Sequence, residues 1–117
     1  MPAQEPEKLV FDRAGMMTRM MDDEDLAREI VATSLEDIPQ QIATLRGYLE
    51  VGDARGAERQ AHTIKGVSAT VGGERLRDMA FEMEKAARAG DLSAAAGHLD
   101  ELDVQFDRLK QAMTKEP

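Results

Sequence analysis

Apolar residues recur at intervals of three and four along most of this chain, the period of helices with one buried face. From Leu26 the series runs through Ile30, Leu35, Ile38, Ile42, Leu45 and Leu49. That is one stripe of a long helix over about residues 24–50. Pro39 lies inside it, and its missing N–H predicts a kink there, not a break. "VGD" (51–53) follows, a glycine stop and an aspartate cap. A third helix over about residues 53–71 turns Ala57, Ala61, Ile64, Ser68 and Val71 inward. These residues are small, so a neighbouring helix can come close. "GG" (72–73) ends it, and a fourth helix over about 74–89 buries Leu76, Met79, Ala80, Met83 and Ala87. "AGD" (89–91) repeats the glycine stop and aspartate cap. The last helix, about 92–114, carries Leu92, Ala95, Leu99, Leu102, Phe106, Leu109 and Met113 at near-heptad spacing.

Before these lies "VFDRAGMMTRMM" (10–21), a short amphipathic helix, with N-caps for the next helix in "DDED". Residues 1–9 carry prolines and charges and are expected to be a disordered lead-in. Four substantial helices joined by short turns predict an all-α fold. It is an antiparallel four-helix bundle over residues 10–114 with a short additional N-terminal helix packed on it. No segment reads as a strand. Many functions live on bundles, so architecture alone does not name one.

Composition narrows the choice. The length of 117 residues suits one domain. Tyr48, Phe11, Phe81 and Phe106 are the aromatics, so the core must come from Leu, Ile, Val, Ala and Met. A formal charge of −8 argues against nucleic acid as a partner. The absence of cysteine excludes disulfides and cysteine-bound zinc. No apolar run approaches the roughly 18 residues that would suggest membrane insertion. The start, MPAQEPEK, lacks a signal peptide's basic and apolar blocks. A soluble cytoplasmic domain is expected.

The candidate chemistry sits in "AHTIKG" (61–66). At about 100° per residue, His62 falls about 140° from the inner stripe of its helix, with Lys65 and Gly66 beside it on the outer side. Arg55 and Arg59 share that side, so a strongly acidic chain gathers positive charge around one exposed imidazole. Gly66 costs its helix roughly 1 kcal/mol relative to alanine, and its place opposite the core argues against helix packing as the reason. Imidazole is a nucleophile at neutral pH; a phosphoryl group gained there needs nearby positive charge and steric room. Lys65 supplies the charge and Gly66 the room. A plain surface histidine beside a plain surface lysine is the alternative.

"AHTIKGVSATVGGERLRDMAFEMEKAARAGD" (61–91) resembles the histidine phosphotransfer (HPt) domain of bacterial phosphorelays, marked by A-H-x-x-K-G on a helix followed by a small-residue run, glycine and a second helix. "LAREIVATSLEDIPQQIATLRGYLEVGD" (26–53) is similar to the family's long second helix, proline included. The resemblance implies a phosphorelay carrier whose His62 accepts a phosphoryl group from a receiver-domain aspartate and passes it to another receiver. It implies that Lys65 helps hold the phosphoryl group and that Gly66 keeps the ring accessible. It also places Glu84 where the family often has a glutamine that hydrogen-bonds the other ring nitrogen. A surface Glu84 paired with Lys85 or Arg88 is the alternative.

Around this centre, Arg59, Phe81 and Met17 are candidate docking residues. Met is suited both to core filling and to adaptable surfaces, so the cluster Met16, Met17, Met20 and Met21 is expected to divide between the two. Receiver domains are the expected partners, with the chain itself a monomer. No cofactor is expected, Mg2+ belonging to the receiver. No nucleotide-binding glycine loop is present, so the chain is read as a stoichiometric phosphohistidine intermediate rather than an enzyme. Rival readings are the phosphoacceptor domain of a chemotaxis-type histidine kinase and a receiver-docking module that is never phosphorylated. A metal-binding bundle would need inward Glu-x-x-His pairs, whereas Arg59 and Ala95 stand three residues before His62 and His98. His98 is read as structural or surface, and the acidic run 22–25 as solvated caps.

Overall fold

The computed structural model describes residues 9–115. The proposed lead-in therefore lies almost wholly outside the described residues. Leu9 is the exception, and it is tied down: its N–H donates to Glu74 Oε2 at 2.8 Å and its carbonyl accepts from the Arg75 N–H at 3.2 Å.

Six helical segments follow in order: α1 (Arg13–Arg19), α2 (Glu24–Glu50), α3 (Ala54–Thr70), α4 (Glu74–Arg88), α5 (Leu92–Gly97) and α6 (Leu99–Lys115). Among the described residues there is no strand. Helix α2 packs on α3, α3 on α4, α4 on α5 and α6, and α6 back on α2, which closes a ring of four. Helix α1 lies on α2 outside that ring. The chain thus forms the antiparallel bundle its patterning predicts, and the N-terminal helix is a minor addition.

Local chemistry sets the turns. Asp23, Asp53 and Asp91 each accept a hydrogen bond from the backbone N–H three residues on, at 2.9–3.0 Å, and so cap α2, α3 and α5. At the other ends, the N–H of Asp53 reaches Tyr48 O, Gly73 reaches Ser68 O and Asp91 reaches Ala86 O, all within 2.9 Å. This is the Schellman closure, with Gly52, Gly72 or Gly90 as its left-handed residue. Asp22 closes α1 the same way on Met17 O at 2.8 Å, but here Met21 takes the left-handed place at φ 56°. Gly72 has a second duty: a Cβ there would come 2.4 Å from the Asp12 carbonyl oxygen, whose residue also donates its N–H to Gly72 O at 2.7 Å. The segment before α1 is pinned to the α3–α4 turn at that point.

The inner stripe of α3 is fully buried, from Ala57 through Ala61, Ile64 and Ser68 to Val71. Leu76, Ala80, Met83 and Ala87 of α4 face it, with Leu45, Ile38, Leu102 and Leu109 completing the core. Helix α2 runs through Pro39 unbroken. Three expectations need correction. Leu26 is exposed, and the buried face of α2 begins at Ala27. The last helix is interrupted at His98, whose N–H bonds back three residues to Ala95 O while its carbonyl starts α6 by accepting from Leu102. Gly97, a poor helix former, sits at that joint. Met17, expected at a docking rim, is only 9% exposed and packs in the core with Met16 and Met20. Helix α1 lays those three on the bundle, and Met21 at the strained turn is the one left in solvent, at 88%.

Candidate functional site

Helices α3 and α4 form the most extensive pair in the molecule. The small residues Ala57, Ala61 and Ala80 let them approach closely, and the tight Gly72–Gly73 turn makes them antiparallel. Side chains along one edge of this pair therefore meet in a fixed register. Each turn up α3 corresponds to one turn down α4. Glu58 meets Arg88, His62 meets Glu84, and Lys65 meets Phe81.

His62 lies mid-helix with its side chain 65% exposed. Its Nδ1 is 2.9 Å from Glu84 Oε2. An ionised carboxylate can only accept, so Nδ1 carries the hydrogen and donates it. That tautomer leaves Nε2 with the lone pair. Glu84 itself is only 3% exposed, more deeply set than its position at the edge of the α4 stripe suggests. Its other oxygen, Oε1, is 2.7 Å from Lys65 Nζ, and Arg88 Nη2 reaches Oε2 at 3.1 Å. Burial, the largest single influence, pushes the Glu84 carboxyl up. The ion pair with Lys65 and the hydrogen bond and charge of His62 together outweigh it and hold the carboxyl below its ordinary value. The group is a buried anion kept ionised by its partners.

Lys65 also lies over the Phe81 ring, its Nζ 4.8 Å from the centroid, and Lys85 approaches the same ring at 4.7 Å. Phe81 is 40% exposed, a partly solvated aromatic between two ammonium groups. Gly66 is exposed, and a Cβ there would meet no atom within 4 Å. No neighbour in the protein requires glycine at this position, so the space it leaves is open to whatever approaches His62 from outside. Arg59 is exposed one turn before His62 and enters none of the ion pairs around Glu84.

Four of the residues singled out in the sequence, His62, Lys65, Gly66 and Glu84, come together here, with Phe81 beside them. Met17 does not. Two residues were missed as members of the site: Arg88, considered only as a surface partner for Glu84, and Glu58, which was not considered. Their signal was present in the helical spacing, since Glu58 precedes His62 by one turn and Arg88 follows Glu84 by one turn. His98 is half-buried at the α5–α6 joint. Among the described residues, no three His, Asp or Glu side chains cluster as a metal site would require.

The model of the Hpt domain family matches residues 29–112, most of the chain. This chain belongs to the Hpt family. No curated protein matches it significantly. Among solved structures, the Hpt domain is similar to histidine-containing phosphotransfer protein B from Pseudomonas aeruginosa PAO1. The two share 24% identity over 94% of this chain and 96% of that one, with a TM-score of 0.86. It is also similar to the HPT domain of an Hpt sensor hybrid histidine kinase from Shewanella, at 21% identity over 91% and 95% of the two chains, with a TM-score of 0.70. At these identities the two structures speak for the shared fold. The family match carries the function class, which is that of a phosphorelay carrier working with receiver domains.

Proposed function

We propose that this Hpt domain carries its phosphoryl group on His62 Nε2. The supporting observation is the hydrogen bond from His62 Nδ1 to the buried carboxylate of Glu84 at 2.9 Å. It fixes the ring so that the exposed nitrogen holds the lone pair. In the reaction, Nε2 attacks the phosphorus of a receiver's aspartyl phosphate in line. The Nε2–P bond forms, the P–O bond breaks, and the aspartate leaves as a carboxylate. No proton has to move, because Nδ1 keeps its hydrogen on Glu84, and the ring's new positive charge lies beside that anion. The reverse sequence delivers the group to a second receiver. Such transfers pass through a loose, highly charged transition state, for which positioning and fixed charge matter most.

Lys65 is the cation for the incoming phosphoryl oxygens. Its ammonium rests between Glu84 and the Phe81 ring and sits one turn from His62, on the same face. Gly66 leaves the space for the group. Phe81, Arg59 and Lys85 form the surface on which the receiver docks. The chain needs no cofactor of its own, because the divalent cation of this chemistry stays with the receiver, and it acts as a stoichiometric intermediate rather than an enzyme. We assign it to the cytoplasm, as a monomer; no helix among the described residues is long and apolar enough to cross a membrane. Incubation with a radiolabelled, phosphorylated receiver tests the assignment. Acid-labile label should appear on the native chain and be absent from His62→Gln; equal label on both would overturn it.

A further inference from the structure

The geometry points to Arg88 as a positioning residue that acts on His62 through Glu84, held in place by Glu58. The inference rests on His62 as the phosphoacceptor and adds a layer behind it.

Glu84 is the only buried member of this cluster, and it is a full negative charge. A buried carboxylate is tolerated only when compensated, and one left unpaired tends to neutralise or to turn toward water. Two cations compensate it here. Lys65 serves Oε1 at 2.7 Å and Arg88 serves Oε2 at 3.1 Å. They are not equivalent. Lys65 is needed elsewhere: once His62 carries a phosphoryl group, the ammonium has a stronger anion to serve. Arg88 is the partner that stays, and it serves the same oxygen that accepts the His62 Nδ1 hydrogen.

Arg88 alone is a poor anchor, since its side chain is 60% exposed and long exposed side chains are mobile. Glu58 supplies what is missing. Its Oε2 accepts from Arg88 Nε at 2.7 Å, so the guanidinium uses one edge nitrogen for Glu58 and another for Glu84. The planar fork of arginine makes that double contact possible, whereas a lysine offers only a point charge. The relay runs from α3 to α4 and back to α3: Glu58 holds Arg88, Arg88 holds the Glu84 carboxylate, and Glu84 holds the His62 ring. Its ends, Glu58 and His62, lie one turn apart on the same face of α3, so the relay closes on a rigid element. A glutamine in place of Glu84 would need no compensating cation. The demand on Arg88 therefore comes from the carboxylate.

The test is a double-mutant cycle read in two ways. Nitrogen-15 NMR of the neutral His62 ring reports which nitrogen carries the hydrogen, and it requires no phosphorylation. The native protein should show the Nδ1–H form. Arg88→Gln should give a mixed population and slow phosphoryl acceptance roughly five- to tenfold. In the Glu84→Gln background, the same Arg88→Gln change should alter the rate less than about twofold. Glu58→Gln, which keeps the Arg88 charge but removes its anchor, should shift the tautomer population in the same direction by less. An unchanged tautomer population in Arg88→Gln, or an equal rate loss in both backgrounds, overturns the proposal, and no shift in Glu58→Gln overturns the bridge. A native protein that accepts no phosphoryl group would instead sink the carrier assignment on His62 while leaving the NMR result to stand. Circular dichroism of each variant confirms that the bundle has folded.

Discussion

Glu84 accepts the Nδ1 hydrogen of His62 at 2.9 Å while lying almost entirely out of solvent. The exposed ring is thereby oriented by an anion that water hardly reaches. Glu84→Gln keeps an acceptor oxygen at this place, so phosphoryl acceptance should fall by less than about tenfold, whereas Glu84→Ala removes the acceptor and should cost about tenfold or more. Stopped-flow or quench-flow transfer from a phosphorylated receiver separates the two variants. Equal rates in Glu84→Ala and the native protein would remove Glu84 from the site.

Gly66 separates stability from function. Its Cβ position meets nothing within 4 Å, so alanine there should fit the fold. Gly66→Ala should stabilise the helix by about 0.5–1 kcal/mol. It should also slow phosphoryl acceptance by about tenfold or more, because the added methyl enters the open space one helical turn from His62 that the incoming group and its receiver need. Urea denaturation and transfer kinetics on the same variant give both numbers. A variant that is more stable and equally fast would mean the space is not used.

Acid should loosen the α3–α4 edge. The folded protein holds the Glu84 carboxyl below its ordinary value of 4.5. The stabilisation gained from ionised Glu84 is thus complete above that ordinary value and is lost as pH falls through the lowered folded value. Glu84→Gln lacks this dependence. The stability difference between native and variant should move against the native protein as pH falls below that ordinary value. Denaturation curves across that range measure it.

Phe81 is an exposed aromatic flanked by Lys65 and Lys85. Phe81→Ala should weaken receiver binding by about tenfold, the cost of a modest interface anchor. The helical signal should be unchanged. Titration calorimetry with a receiver checks this; unaltered affinity would confine Phe81 to the fold.

Met21 is the turn residue whose type suits its backbone least. It occupies the left-handed place of a Schellman closure that Gly52, Gly72 and Gly90 fill elsewhere. Met21→Gly should stabilise the protein by about 1 kcal/mol, or roughly 4 °C in Tm. Thermal unfolding tests it, and a lower Tm would show that the exposed methionine contributes contacts the backbone argument ignores.

The bundle was legible because two independent signals agreed. The three-and-four spacing named the inward faces, and the repeated glycine–aspartate turns marked the ends of α2 and α4. Periodicity, however, is a property of one helix at a time. It does not say how neighbouring helices are rotated against each other. Glu84 looked like an edge residue on its own helix, yet the alanine-lined approach of α3 covers it. Leu26 is exposed while its neighbour Ala27 is buried, so the covered face at the start of α2 is turned by about one residue from the stripe. Met17 lies on a short helix whose whole buried face is methionine, so composition could not divide core from rim. Arg88 and Glu58 were missed for the same reason. Their link runs between helices, and only the antiparallel register of α3 and α4 brings it into view.

The proposed relay step puts the phosphoryl group on one nitrogen of one side chain, His62 Nε2. Phosphorus-31 and nitrogen-15 NMR of the chain after transfer from a phosphorylated receiver measures this directly. The predicted result is a single phosphohistidine with phosphorus on Nε2 of His62, Nδ1 still bearing its hydrogen, and His98 unmodified. Phosphorus on Nδ1, on His98, or on no histidine would contradict it.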